Sequence, residues 1–225
     1  MLAQRTRQRR GRQLRFLRDP RVKRAIDIAG SVTLLGALSP VLGACALAVR
    51  LSSPGPILFR QRRIGRQGQP FEILKFRTMQ QNADQSAHQR YVASLIAGTA
   101  DAHDADGASV FKIVGDQRIT PAGHWLRHLS LDELPQLINV LRGDMSLVGP
   151  RPPLPYEVEH YTPRHHERLA VTPGITGLWQ VSGRSRTTFE EMIDLDLAYI
   201  KRWSVSLDFQ ILLRTIPVVV FPDGH

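Results

Sequence analysis

Asp132 and Glu133 stand side by side in Ser130-Leu-Asp-Glu-Leu-Pro135, within a stretch rich in arginine. Arg118, Arg127 and His128 precede them, and Arg142, Asp144 and Arg151 follow. Carboxylates among guanidiniums suit a diphosphate substrate bound with a metal ion: the carboxylates ligate the cation and the arginines grip phosphate oxygens. Helix capping is the plainer reading of the same pair. Ser130 and Glu133 match a capping box, although Pro135 would then fall where its missing N–H and its ring disrupt the helix. With Asp132 as the N-cap, Pro135 takes the third helical position at little cost. Either way the carboxylates lie at a helix start, where the dipole favours their ionised form.

Further cations recur in stiff or turn-rich settings. Gly149-Pro-Arg-Pro-Pro153 presents Arg151 from a loop whose prolines reduce the entropy lost on fixing it, and a planar guanidinium matches phosphate. An ordinary proline turn would look the same. Lys75 and Arg77, two apart at the end of an expected strand, would share a face as a cation patch or a solvated edge. Gly174 to Gly183, with Trp179 and then Arg184, reads as an aromatic-bearing lid or a structural loop. Asp194 and Asp196 cannot share a helical face, so at most one points at a site. The histidines show no metal-cage spacing and read mostly as surface residues. Neither a dinucleotide fingerprint nor a phosphate-binding P-loop nor a serine-hydrolase elbow is present.

The elements that must position these groups begin at a membrane. The net charge of +10 is concentrated in residues 1–24, which hold ten basic residues and one acidic one; the remainder holds 20 and 19. Ile28 to Val49 then runs for 22 residues without a charge, long enough as a helix to reach about 30 Å, the thickness of a bilayer core. Basic residues flank both ends, Arg21, Lys23 and Arg24 before and Arg50, Arg60, Arg62 and Arg63 after, so both flanks favour the cytoplasm. Pro40 predicts a kink at Ser39-Pro40, with the Ser39 hydroxyl able to serve a freed carbonyl. A helix that enters, bends and returns satisfies both flanks; a straight span is the alternative. The basic tail then reads as a clamp on anionic membrane lipids rather than on nucleic acid. Single Cys45 excludes an internal disulfide and reads as a small hydrophobe.

Beyond the turn Ser53-Pro-Gly-Pro56, short strands are expected at 57–61 and 71–76, joined by a hairpin at 66–69. Helices are expected over 83–97, 121–129 behind Thr120-Pro121, 134–141, part of 156–169, and from the capping box Thr188-Phe-Glu-Glu191 to about Arg202. Val110 to Ile113 is a short apolar piece, and 143–156 and 171–183 read as loops. The apolar stretch Phe209 to Phe221, broken by Arg214 and Pro217, reads as an interfacial helix. The expected fold is α+β and mainly helical: a basic extension (1–20), a kinked re-entrant membrane helix (21–50), and a catalytic domain with a small β element and C-terminal interfacial helices (51–225).

These motifs together resemble the bacterial monotopic phosphoglycosyl transferases, from about Val22 to the end. The resemblance is carried by Val22-Lys-Arg-Ala-Ile-Asp27, Ser39-Pro40, Ser53-Pro-Gly-Pro56, Lys75-Phe-Arg-Thr-Met79 and Ser130-Leu-Asp-Glu-Leu-Pro-Gln136. It continues through Asn139 to Pro152, Pro173 to Arg184, and Asp196-Leu-Ala-Tyr199. Gln117 stands where a proline is common, and the basic extension is not family pattern. The resemblance implies a re-entrant helix at the cytoplasmic face of the bacterial inner membrane. It implies Asp132 as a nucleophile on the β-phosphate of a UDP-sugar, releasing UMP, with undecaprenyl phosphate as acceptor. Glu133 would assist in metal or proton handling, Asp132 and Glu133 would meet Mg²⁺, and Arg151 would contact phosphate. Lys75, Arg77, Arg118, Arg142, Arg184 and Asp196 complete the set expected to bind substrate. A membrane-associated nucleotide-sugar hydrolase with the same carboxylates, and a scaffold using the basic tail, are the competing classes. The transferred sugar is not legible, and a homo-oligomer is compatible with the sequence.

Overall fold

The computed structural model describes residues 19–80, Ile96, 118–182 and 187–220. The arm 1–18, the rest of the helix expected over 83–97, the apolar piece 110–113 and Arg184 lie outside the described residues.

Asp19 caps the first helix by accepting from Arg21 N at 2.8 Å, and Pro20 occupies its first position. Helix α1 (Pro20–Ala37) and helix α2 (Ser39–Ser52) meet at Leu38 with a bend of 65°. Pro40 has no N–H for the Gly36 carbonyl, and the Ser39 hydroxyl donates to that oxygen at 2.8 Å. The expected kink and its hydroxyl cap are both present. No single helix among the described residues is long and apolar enough to cross a membrane, but this bent pair is by length and composition.

Both ends of the pair are tied to the same folded body. Near the start, Lys23 Nζ donates to Asp208 (2.7 Å) and to the Val148 carbonyl (2.9 Å). Arg24 donates to the Val140 and Leu141 carbonyls at 2.5 and 2.8 Å. Asp27 accepts from Ser146 Oγ and Leu147 N at 3.0 and 2.9 Å. At the other end, Arg77 Nη2 donates to the Ser53 carbonyl at 2.7 Å and its hydroxyl at 2.9 Å. Cys45 and Val49 are buried against Phe76 and Leu126, as the small-hydrophobe reading of Cys45 requires. A straight span would carry the two ends to opposite sides; a pair gripped at both ends by one body enters and leaves on one side. Its outer face leaves Ile28, Val32, Leu34, Val41, Leu47 and Leu51 exposed.

Strands β1 (Leu58–Ile64) and β2 (Pro70–Phe76) form an antiparallel hairpin in register Leu58↔Phe76 to Ile64↔Pro70. A single 3₁₀ turn, Arg66–Gly68, joins them. Thr120 caps helix α3 (Pro121–His128), accepting from Gly123 N at 3.0 Å. Helix α4 (Gln136–Arg142) stops at Gly143, whose φ of 95° is left-handed, and Arg24 takes carbonyls of its last turn. Two expected loops contain more order than their glycines and prolines predict. Strand β3 (Ser146–Val148) pairs in parallel with strand β4 (Gly174–Thr176), and short helices α5 (Pro155–Val158) and α7 (Leu178–Ser182) follow them. Between these lie helix α6 (Pro163–His166) and a 3₁₀ turn, Glu167–Ala170. The Thr188–Glu191 capping box opens helix α8 (Phe189–Arg202), with Glu191 N donating to Thr188 Oγ1 at 3.2 Å. Helix α9 (Val205–Val220) is the last described element and exposes Phe209, Leu213 and Ile216 along one side, as an interfacial helix should.

The described chain is therefore mainly helical with small β elements. Its core gathers Ile73, Leu137, Val140, Met145, Leu147, Val148, Tyr199 and Ile211, so hairpin, α4, β3, α8 and α9 meet behind the carboxylate pair.

Candidate active site

Asp132 and Glu133 do not cap a helix. Ser130 is left-handed (φ 54°), makes no side-chain cap, and turns the chain out of α3 into a 3₁₀ turn, Leu131–Glu133. Pro135, not Asp132, is the N-cap of α4, a position where its missing N–H leaves no bond unmade. Both expected capping arrangements are thus replaced by a short tight turn. A left-handed non-glycine residue costs roughly 1–2 kcal/mol, and here the turn sets the two carboxylates side by side.

The hairpin supplies the first cation. Lys75 Nζ donates to Glu133 Oε1 at 2.7 Å from the end of β2. Burial alone would raise Glu133; the Lys75 charge and hydrogen bond, with Arg151 and Arg63 nearby, outweigh it and hold the carboxyl below its usual range. Asp132 behaves oppositely. Burial pushes it from 3.8 up to about 6; Lys75 and Arg127 oppose the shift and the Glu133 charge adds to it. The two adjacent carboxyls thus sit in divergent environments, Glu133 favoured as the anion and Asp132 the more basic.

Glu133, Lys75, Arg151 and Arg63 line one cleft with Gln136 and Gln180. Arg63 is 5% exposed, and burial followed by the charge of Arg151 pushes it down to about 10. Two guanidiniums that repel across a cleft form a site whose energy falls when an anion arrives. Arg63 was not expected as a site residue, because Arg60, Arg62 and Arg63 read as flanking charge. Strand alternation held the signal: Arg63 lies two residues from Gln61, and its Nη2 donates to Gln61 Oε1 at 2.9 Å.

Of the other expected residues, the structure brings Lys75, Glu133 and Arg151 together with Asp132 alongside. Arg77 is buried and turned to Ser53 at the end of α2, so it and Lys75 serve different partners. Arg118 lies before α3, where its carbonyl accepts from Gln80 N. Arg142 is exposed on the last turn of α4. Asp196 is 1% exposed and paired with Arg168 at 2.5 Å, whereas Asp194 points outward to Arg164, so only the former faces inward. His165 is buried against Glu190, unlike the surface histidines expected.

Among the described residues no group of three or more His, Cys, Asp or Glu side chains could cage a metal. The Asp132–Glu133 pair fits Mg²⁺ nonetheless, since this ion is commonly held by one or two carboxylates together with substrate phosphates.

The direction of the Asp132 shift sets a pH dependence. Any reaction needing its carboxylate ionised is expected to lose rate as pH falls through about 6, well above the range of an ordinary aspartate near 3.8. A pH–rate profile of donor consumption checks this; a limb near pH 4 would place the reacting group elsewhere.

Comparison with known proteins matches residues 18–222 to the family described as bacterial sugar transferase. The chain is 42% identical over 204 residues to "Galactosyl transferase CpsE" of Streptococcus agalactiae, covering 90% of this chain and 43% of that protein. It is 40% identical over 202 residues to "Exopolysaccharide production protein ExoY" of Sinorhizobium fredii, covering 90% and 87%. It is 42% identical over 211 residues to "UDP-glucose:undecaprenyl-phosphate glucose-1-phosphate transferase" of Caulobacter vibrioides, covering 90% and 71%. The chain thus spans less than half the length of the first of these relatives and most of the length of the other two.

Proposed function

Since the chain belongs to the bacterial sugar transferase family, we propose that it moves a sugar 1-phosphate from a UDP-sugar to undecaprenyl phosphate, releasing UMP, and so initiates assembly of an exopolysaccharide, capsule or O-antigen type glycan. One observation carries the reading: Glu133 shares a cleft with Lys75, Arg63 and Arg151, and Asp132 adjoins it near Lys75 and Arg127, on the same body that grips both ends of the apolar helix pair. A phosphate-directed site beside a membrane element suits a soluble donor and a lipid acceptor.

The reaction proceeds in two displacements. An Asp132 carboxylate oxygen attacks the donor's β-phosphorus, the bond to the UMP oxygen breaks, and the sugar phosphate is held as an acyl phosphate. A phosphate oxygen of the lipid then attacks the same phosphorus and the Asp132 carboxylate leaves. Raised basicity makes Asp132 the better nucleophile of the pair. Glu133, kept anionic by Lys75, orients that cation and shares any metal. Asp132 and Glu133 would hold Mg²⁺, which would supply neutralisation of phosphate charge when bound. Arg63 and Arg151 offset the repulsion between an anionic acceptor and an anionic intermediate. The membrane is the bacterial inner membrane and the catalytic side the cytoplasmic one, where the exposed Arg21, Arg50, Arg60 and Arg62, with the charge of the basic extension, favour anionic lipid headgroups.

The test incubates purified protein with Mg²⁺, a panel of UDP-sugars and undecaprenyl phosphate. UMP release matched by a lipid-linked sugar product is expected from at least one donor. Free sugar phosphate without lipid product would assign a hydrolase instead.

A further inference from the structure

The loop that presents Arg151 is held residue by residue. The Pro150 carbonyl accepts from Gly174 N at 2.9 Å, the Arg151 carbonyl from Arg168 Nη2 at 3.2 Å, and the Pro152 carbonyl from Arg63 Nη1 at 3.0 Å. The Pro153 carbonyl accepts from Ile64 N at 3.0 Å. Three prolines in this loop offer no N–H, so its orientation depends on what grips these oxygens. Pro152 also confines Arg151 to extended backbone, and what then aims the Arg151 peptide is the bond to its own carbonyl.

That bond comes from Arg168, which is itself fixed on two sides. Arg168 Nη2 also meets Asp196 Oδ2 at 2.5 Å, and Nη1 donates to the Tyr161 hydroxyl at 2.7 Å. The Arg168 and Asp196 side chains are 1% and 2% exposed, so neither reaches a ligand in the cleft. A buried ion pair adds little stability over an apolar pair of the same size, and Arg168 Nε has no hydrogen-bond partner. Stability alone therefore gives this pair no reason to be ionic, whereas a forked donor joining α8, the Tyr161 hydroxyl and the Arg151 carbonyl does.

We propose that Arg168, Asp196 and Tyr161 are positioning residues that aim the Arg151 guanidinium at the donor's diphosphate. The proposal rests on the transferase reading only for the identity of that diphosphate. Asp196 thereby acts behind the site rather than on substrate, and Arg168 and Tyr161 join the machinery.

The test is a double-mutant cycle on the full chain in detergent. Tyr161→Phe and Arg168→Lys are each made with Arg151 intact and with Arg151→Ala, and UDP with Mg²⁺ is titrated by calorimetry alongside thermal melting. With Arg151 intact, each variant is expected to weaken UDP about tenfold, the scale on which supporting groups act. In the Arg151→Ala background the same changes should alter affinity less than twofold. Arg168→Lys keeps the charge beside Asp196 but cannot fork to the Arg151 carbonyl, so its loss of binding reports the fork and not the charge. Equal losses in both backgrounds would assign a purely structural role and overturn the proposal, as would unchanged affinity with Arg151 intact or no UDP binding by the unmodified protein. Tyr161→Phe removes one oxygen and decides the matter if Arg168→Lys does not fold. Failure of the transferase reading shows separately, as coupled UDP binding without lipid product.

Discussion

Replacing Asp132 with asparagine is expected to abolish sugar-phosphate transfer and to make the protein more stable. The first effect follows from the proposed function, in which the oxygen lost is the attacking one. Removing a covalent nucleophile lowers turnover by at least about 10³-fold, and donor radioactive in its β-phosphate should no longer label the chain. The second follows from the sign of the Asp132 shift. Its carboxyl moves from 3.8 to about 6 in the folded protein, chiefly through burial, so the fold prefers the protonated form. What Asp132 adds to stability is then fully present below pH 3.8 and is lost as pH rises through about 6. At neutral pH the native carboxylate is a burden, made greater by Glu133 alongside, and an uncharged amide removes it. Melting curves should show Asp132→Asn above the unmodified protein at pH 7.5, with the gap closing toward pH 4. An inactive variant that melts lower at pH 7.5 would mean that Asp132 acts through structure. Opposed effects on activity and stability are the mark of a group held for chemistry rather than for folding.

Asp208→Ala is expected to cost about 3–5 kcal/mol of stability, the range for breaking a buried pair by removing one partner. Asp208 accepts from Lys23 Nζ at 2.7 Å, from the Tyr199 hydroxyl at 2.8 Å and from Trp203 Nε1 at 3.1 Å. Its removal leaves the Lys23 cation without its counter-charge and Trp203 Nε1 without its acceptor, and leaves Lys23 and the Tyr199 hydroxyl to share the Val148 carbonyl, where α1 meets α8 and α9. The Lys23 side chain is 17% exposed and cannot recover full hydration. Adding Lys23→Met to the same chain should return much of the loss, because the uncompensated charge is then gone. Thermal melting in detergent reads both changes. If Asp208→Ala melts within a degree or two of the unmodified protein, the inbound helix is docked by its other contacts, those of Arg24 and Asp27 among them. If Lys23→Met fails to rescue it, the cost lies in Tyr199 and Trp203.

Local features were legible where residues a few positions apart act on one another. Ser39-Pro40, Thr120-Pro121 and the Thr188–Glu191 box each appear as read, because a missing N–H or a short hydroxyl acts within one turn. Asp132 and Glu133 stood out as a carboxylate pair, but not as a 3₁₀ turn: the left-handed Ser130 that displaces capping is a choice made by packing. Three-residue strands such as β3 and β4 carry no periodicity, and their pairing spans a long stretch of chain. Lys23 and Arg24 read as charges counted by a membrane rule, yet both are consumed in docking α1, since the carbonyls and carboxylate they meet come from distant sequence. Arg63 was hidden for the converse reason, as one arginine among several whose neighbours remain at the surface. Arg168 gives no local sign at all, because its partners Asp196 and the Arg151 carbonyl meet it only in the folded chain.

The covalent role proposed for Asp132 is tested most directly by supplying donor without acceptor. Protein mixed with its preferred UDP-sugar and Mg²⁺, and with no polyprenyl phosphate, should release UMP in a burst approaching one molecule per chain. Mass spectrometry of the quenched protein should find the sugar phosphate on the peptide carrying Asp132. Adding undecaprenyl phosphate should then discharge it into lipid. UMP release that begins only when the lipid is present, with an unmodified Asp132 peptide throughout, would contradict the two-step account and require direct attack by the acceptor.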